Sequence, residues 1–315
     1  MFTAAIWPWL GFTILVLGLL SLDLGVFQRK AHAVSIKEAL IWSAIWITLA
    51  LAFNAGLYFL RGPTTALQFL TGYLLEKSLS VDNIFIFALI FTSFRIPPIY
   101  QHRVLFWGII GALLMRAVLI LAGVALLDAF HWIFYLFGAF LVITGIRMAM
   151  RKEKEIQPET HPLVRLIQRF LPIAHNYEGS HFLTRRAGKL MAAPLLLALV
   201  IIEVTDLIFA LDSIPAIFSI TQDPFIVYTS NIFAILGLRS LYFVLAGVTQ
   251  KFHYLKIGLA VILVYVGCKM ILMDWIHIPV WISLCVIIFV LCVAIVASLF
   301  RARKLAEKAS EMVKP

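Results

Sequence analysis

Six carboxylates, Asp23, Glu76, Asp82, Glu203, Asp206 and Asp212, fall inside long apolar stretches of this sequence. A carboxylate at the centre of a membrane-spanning helix costs about 2.5–3.5 kcal/mol on insertion scales, so it must face a cavity, a partner or an ion. Four bases, Lys77, Arg116, Arg239 and Lys269, lie in the same stretches and are available for ion pairs. Six acids against four bases leave a surplus of negative charge, and the surplus sits on two segments. EKSLSVDNI (76–84) and DLIFALDSI (206–214) share one pattern: acid, five residues, Asp, a small amide or hydroxyl, Ile. This chemistry suits the binding of a cation.

The donors that accompany the acids are Ser80, Asn83, Ser213 and backbone carbonyls. All are oxygen ligands, which favour hard cations such as Mg²⁺, Ca²⁺ and Mn²⁺, and the carboxylates could equally hold a proton or Na⁺. The eight histidines (32, 102, 131, 161, 175, 181, 253, 277) fall in loops or at helix ends, and Cys268, Cys285 and Cys292 lie apart from the acidic pairs. Zn²⁺ or Cu⁺ would want those softer ligands. On an ideal helix Glu76, Ser80 and Asn83 share a stripe, with Asp82 roughly 120° away. Asp206 and Ser213 share another, with Asp212 offset by the same angle. Pro215 removes the hydrogen bond to the carbonyl of Leu211, so the helix either breaks beside Asp212, freeing carbonyls, or simply kinks, with a neighbouring helix satisfying the freed group. Asn54 and Asn231 are further polar residues that line the cavity or bond a neighbouring helix.

The positioning elements are apolar runs at 6–27, 38–60, 67–94, 103–127, 131–149, 191–220, 226–248, 255–273 and 278–300. Each is long enough to cross a bilayer as a helix, which satisfies its own backbone in lipid. The predicted fold is therefore all-α: one polytopic transmembrane domain over 1–315 with about nine spans. Basic residues alternate with this count. Arg29, Lys30, Lys37, Arg95, Arg103, the dense set from Arg147 to Lys189, Lys251, Lys256 and the tail fall on one side. The other side carries Arg61 with Asp128, Asp223 and Asp274. The positive-inside rule then puts the N-terminus outside and the C-terminus inside. The first run has no basic residues before it and no A-x-A-like site after it, so it reads as a span, not a cleaved signal peptide. Residues 150–190 read as a basic cytoplasmic loop, with a weakly amphipathic stretch at 163–171 suited to anionic lipid, and 301–315 as a cytoplasmic tail.

An internal repeat accompanies the count. Besides the acidic motifs, RAVLILAG (116–123) matches RSLYFVLAG (239–247) with one insertion, and GIRM (145–148) matches GCKM (267–270). Spans 3–5 thus read as a copy of spans 6–8. The copies start an odd number of helices apart, which makes the repeat inverted, as in many secondary transporters.

Composition agrees. Of 315 residues 63% are hydrophobic and 13% charged, and the mean hydropathy is +1.00. A soluble domain could not hide that much apolar surface. The net charge of +10 sits in short loops, not on one face, so it reads as a topology signal and not as nucleic-acid binding. The partners expected are the lipid bilayer and a divalent cation. No Walker motif, nucleophile–base pair or cofactor loop stands out, so neither ATP-driven transport, an enzyme nor a bound cofactor is expected.

FLTGYLLEKSLSVDNIFIF (69–87), EVTDLIFALDSIPAIF (203–218) and DPFIVYTSNIFAILGLRSLYF (223–243) resemble the TerC family, most closely its Alx-like branch. The resemblance runs from about residue 20 to 300. It implies kinship with LysE-type exporters, Mn²⁺ efflux from a bacterial inner membrane, and a historical link to tellurite resistance. Carried over by position, it implies a metal site at Glu76, Asp82, Asn83, Glu203, Asp206, Asp212 and Ser213. Export of a small amino acid or organic cation, and a scaffold without flux of its own, are the alternatives.

Overall fold

A computed structural model describes residues 2–27, 35–130, 132–150, 181–186, 189–245 and 254–312. The described chain is predominantly helical: α1 (Phe2–Phe27), α2 (Ile36–Arg61), α3 (Pro63–Ser93), α4 (Pro98–Ala129), α5 (Ile133–Met150), a short antiparallel hairpin of β1 (Leu183–Arg186) and β2 (Lys189–Ala192), then α6 (Pro194–Phe218), α7 (Pro224–Leu236), α8 (Leu238–Leu245), α9 (Leu255–Ile271) and α10 (Val280–Met312). The amphipathic stretch 163–171 lies outside the described residues.

Local sequence explains the ends. Pro63, Pro98, Pro194 and Pro224 open α3, α4, α6 and α7, where the missing N–H costs nothing and the fixed φ suits the first turn. Ser35 accepts a hydrogen bond from the Glu38 amide at 3.3 Å, and Asp223 Oδ1 accepts one from Phe225 at 2.9 Å. Gly62, between α2 and α3, has φ +91°, a conformation open to glycine and strained for other residues.

By length and composition six segments among the described residues can cross a membrane: α2, α4, α5, α6, α7 with α8 (Pro224–Leu245), and Val280–Ala302 of α10. The chain is thus an integral, multi-pass membrane protein. Burial sorts these segments. The Pro224–Leu245 segment is 89% buried, against 17% for α2 and for the α10 span, so α7–α8 is central while α2 and α10 face outward. α3 packs on α6 and α7, α4 on α6 and α7, α2 on α3 and α8, and α9 on α5 and α10.

The α5–α9 contact is backbone against backbone. A Cβ on Gly138 would lie 2.8 Å from the Gly267 carbonyl, one on Gly267 would lie 2.6 Å from the Gly138 carbonyl, and one on Gly145 would meet the Ala260 carbonyl at 2.8 Å. Small residues at such crossings let membrane helices approach closely.

Of the two readings of Pro215, the break is set aside: α6 runs unbroken through it to Phe218. The break comes instead at Gly237, between α7 and α8. There Lys77 Nζ donates to the Ala234 carbonyl at 3.2 Å, satisfying a backbone group that the interrupted helix leaves open.

Candidate functional site

The stripe of Glu76, Ser80 and Asn83 on α3 is buried, at 1%, 1% and 2% exposure. It faces Asp206 and Ser213 of α6, also buried. Between the two helices lies Arg116 of α4, 1% exposed. Its Nε donates to Asp206 Oδ2 at 3.3 Å and its Nη2 to Asp206 Oδ1 at 3.0 Å, a side-on pairing. Its Nη1 donates to Glu76 Oε1, to Asn231 Oδ1 of α7 at 2.8 Å and to Ser213 Oγ at 3.4 Å. Asn231 Nδ2 reaches Glu76 Oε2 at 3.4 Å, and Asn83 Nδ2 reaches Asp206 Oδ1 at 3.4 Å.

The cluster sets two carboxyl groups against one guanidinium. Beside it is a cavity of about 10 Å³, the space of one water molecule, lined by Glu76, Asn83, Arg116, Asp212 and Ser213 with Leu79, Met148, Phe209 and Leu263. Two buried oxygens on α3, Asn83 Oδ1 and Ser80 Oγ, have no hydrogen-bond partner among the described residues. A second cavity of similar size is bordered by Asp206 and Arg239 among apolar side chains of α3, α4, α6, α7 and α8.

The sequence-derived residues thus separate. Glu76, Asn83, Asp206 and Ser213 meet around Arg116, and Asp212 borders the cavity beside them. Glu203, one turn before Asp206, stays outside these hydrogen bonds and lies over Gly111 of α4, where an added Cβ would run into its carboxylate. The side chains of Asp82 and Asp23 lie outside the described residues. Among the described residues no three His, Cys, Asp or Glu side chains are close enough to hold a metal together. Lys269 is accounted for by Ser283 Oγ at 2.9 Å.

Sequence reasoning treated Arg116 and Asn231 as accessory, and both are central. The signal was present for Arg116, which heads one of the repeated motifs. For Asn231 no spacing to the acids along the chain reveals it, because it enters from another helix.

The profile of the integral membrane protein TerC family matches residues 61–306. An uncharacterised membrane protein of Myxococcus xanthus is 57% identical over 295 residues, covering 94% of this chain and 92% of its own length. A Salmonella typhi protein is 48% identical, covering 91% of this chain and 92% of its own length. One from Escherichia coli K12 is 47% identical, with 90% and 91% covered. Both of these carry the name of a candidate membrane-bound redox modulator, Alx. No solved structure matches the chain.

Proposed function

From the premise that this chain belongs to the TerC family of integral membrane proteins, we propose that it is a secondary transporter exporting Mn²⁺ across a bacterial inner membrane. The cation binds at the carboxylate site between α3, α4 and α6, using Glu76, Asn83, Asp206, Asp212 and Ser213, with Asp82 and Glu203 along its path. The observation that carries this reading is the unpartnered, buried Asn83 Oδ1 on a cavity that Glu76 and Asp212 also line. An oxygen acceptor without a donor, between carboxylates, suits a small hard cation.

The transporter architecture is part of the proposal: nine crossings, N-terminus outside, and an inverted repeat of α3–α5 with α6–α9. Contacts support it. Arg61 and Asp223, expected on the outer side, meet at 3.1 Å, and Tyr135 donates a hydrogen bond to Asp274. The Tyr254 amide and Ser298, expected near the inner side, meet at 3.0 Å. α3 packs on α7 as α6 packs on α4, which is what a pseudo-twofold axis requires. The motif match pairs Gly145 with Gly267, and so Gly138 with Ala260. The observed contacts, Gly138 with Gly267 and Gly145 with Ala260, are each other's image under that pairing.

Exporting a divalent ion against an inside-negative potential costs roughly 4–5 kcal/mol per 100 mV, so a coupling ion is needed. Carboxylates that hold either a proton or the metal make proton exchange the fitting choice. The test is Mn²⁺ flux in liposomes, with Glu76→Gln/Asp212→Asn as the control. Flux that disappears in the folded double variant supports the reading, and wild-type flux that survives it removes the site. Equal rates under inward and outward pH gradients, at matched voltage, would rule out proton coupling. Replacing Cys268, Cys285 and Cys292 by serine leaves flux unchanged if thiol chemistry is not part of transport.

A further inference from the structure

The cation that Glu76 and Asp206 hold in this structure is a side chain of the protein itself. Arg116 takes both oxygens of Asp206, one of Glu76, and the oxygens of Asn231 and Ser213. Those are the ligands that a hard cation would use. We propose that Arg116 is a tethered competitor of the transported cation: its guanidinium closes the empty site and must leave the Glu76–Asp206 pair before a divalent cation binds there. This inference rests on the transport reading above.

Geometry and electrostatics together carry it. The adjoining cavity has room for about one water, too little for a divalent ion that keeps its own water shell, so an ion there would need the oxygens that Arg116 holds. Two cations about 4 Å apart in a low-dielectric interior repel strongly, so joint occupancy is disfavoured. Asn83 Oδ1 borders this cavity, 2% exposed, and is an acceptor that no donor of Arg116 takes. A purely structural ion cluster would be expected to satisfy it. The Arg116–Asp206 pair also stands between the two cavities, since Arg116 borders the first and Asp206 the second. Its release would therefore open the space between them.

The consequence is thermodynamic. A ligand that must displace an internal occupant binds with an affinity reduced by the fraction of molecules whose site is vacant. Removing the occupant should therefore tighten binding while it lowers the stability of the metal-free protein, because two buried carboxylates lose their cation.

The test uses the purified full chain in detergent, with free Mn²⁺ followed by electron paramagnetic resonance. Arg116→Gln should lower the Mn²⁺ dissociation constant by about tenfold or more, and Mn²⁺ should raise its melting temperature more than that of the wild type. In Arg116→Ala, guanidinium chloride at millimolar concentration should compete with Mn²⁺, whereas the wild type should be indifferent to it. Should neither variant fold, difference infrared spectra of the wild type supply the readout. Mn²⁺ should shift the arginine guanidinium bands as the carboxylates are exchanged for the metal. A folded Arg116→Gln that binds Mn²⁺ no more tightly, or guanidinium bands unmoved in a wild type that binds Mn²⁺, would overturn the competitor role and leave the transport reading standing. A wild type that binds no Mn²⁺ would overturn both.

Discussion

Arg116 and Arg61 each pair with an aspartate at nearly the same distance, 3.0 Å to Asp206 and 3.1 Å to Asp223. The surroundings differ. Arg116 and its carboxylates are 1–5% exposed, and four residues accept its hydrogen bonds. Arg61 and Asp223 are 35% and 39% exposed, and Arg61 adds a cation–π contact to Phe225 at 4.8 Å. Taking charges out of water costs several kcal/mol per ion, so apolar residues of similar volume often match or exceed a buried pair in stability. The outer pair needs no reason beyond joining the end of α2 to the start of α7. The inner cluster needs one, and the proposed cation site would supply it.

The largest effect should come from breaking the inner cluster on one side. Arg116→Leu leaves Glu76 and Asp206 buried without a cation and should cost about 3–5 kcal/mol, read as a fall in melting temperature of the detergent-solubilised protein. Replacing Glu76, Arg116 and Asp206 together by methionine should recover most of that loss while abolishing Mn²⁺ binding. If Arg116→Leu costs no more than Arg61→Leu, burial is not what separates the two pairs.

A packing control comes next. Gly267→Ala puts a methyl 2.6 Å from the Gly138 carbonyl and 2.9 Å from the Val142 amide, both backbone atoms that cannot turn aside. α5 and α9 must separate, at about 1–3 kcal/mol. The same assay should show that Mn²⁺ affinity, measured below the melting temperature, changes far less than in Arg116→Leu. A matching change would mean that the glycine contact and the polar cluster form one coupled unit.

The apolar runs were legible because lipid favours continuous helices, and the described chain is helical over most of each of them, with an interruption at Gly237. The stripes Glu76–Ser80–Asn83 and Asp206–Ser213 were also legible, since a 3.6-residue period fixes which side chains share a face. What the period could not supply was the partner. Asn231 and Arg116 reach the site from α7 and α4, and only helix packing decides that. Pro215 was ambiguous for a related reason. A proline removes one hydrogen bond, but neighbouring helices can satisfy the freed carbonyl, so the helix continues. The break at Gly237 had a weaker local signal, and Lys77 from α3 helps to close it.

Lys77 sits between the two extremes of the comparison, a cation that answers a backbone carbonyl instead of a carboxylate. Lys77→Met keeps the packing volume and loses the bond to Ala234, which should cost about 1–2 kcal/mol. Hydrogen exchange at the α7–α8 junction should accelerate while the α5–α9 contact stays protected. Equal acceleration at both would show that Lys77 supports the whole bundle and not the break at Gly237.

The smallest effect belongs to the outer pair, and it contains a test of its own. Arg61→Gln should cost about 1 kcal/mol or less, since exposed pairs gain little Coulomb energy and lose side-chain freedom. Asp223→Ala should cost more than Arg61→Gln, because Asp223 also caps α7 through the Phe225 amide, worth about 1 kcal/mol by itself. The double variant isolates the pair: a coupling energy below about 0.5 kcal/mol that shrinks further in high salt is expected. A coupling that survives high salt would mean the pair is shielded in the membrane interface, and the difference from Arg116 would then rest on the number of acceptors and not on exposure.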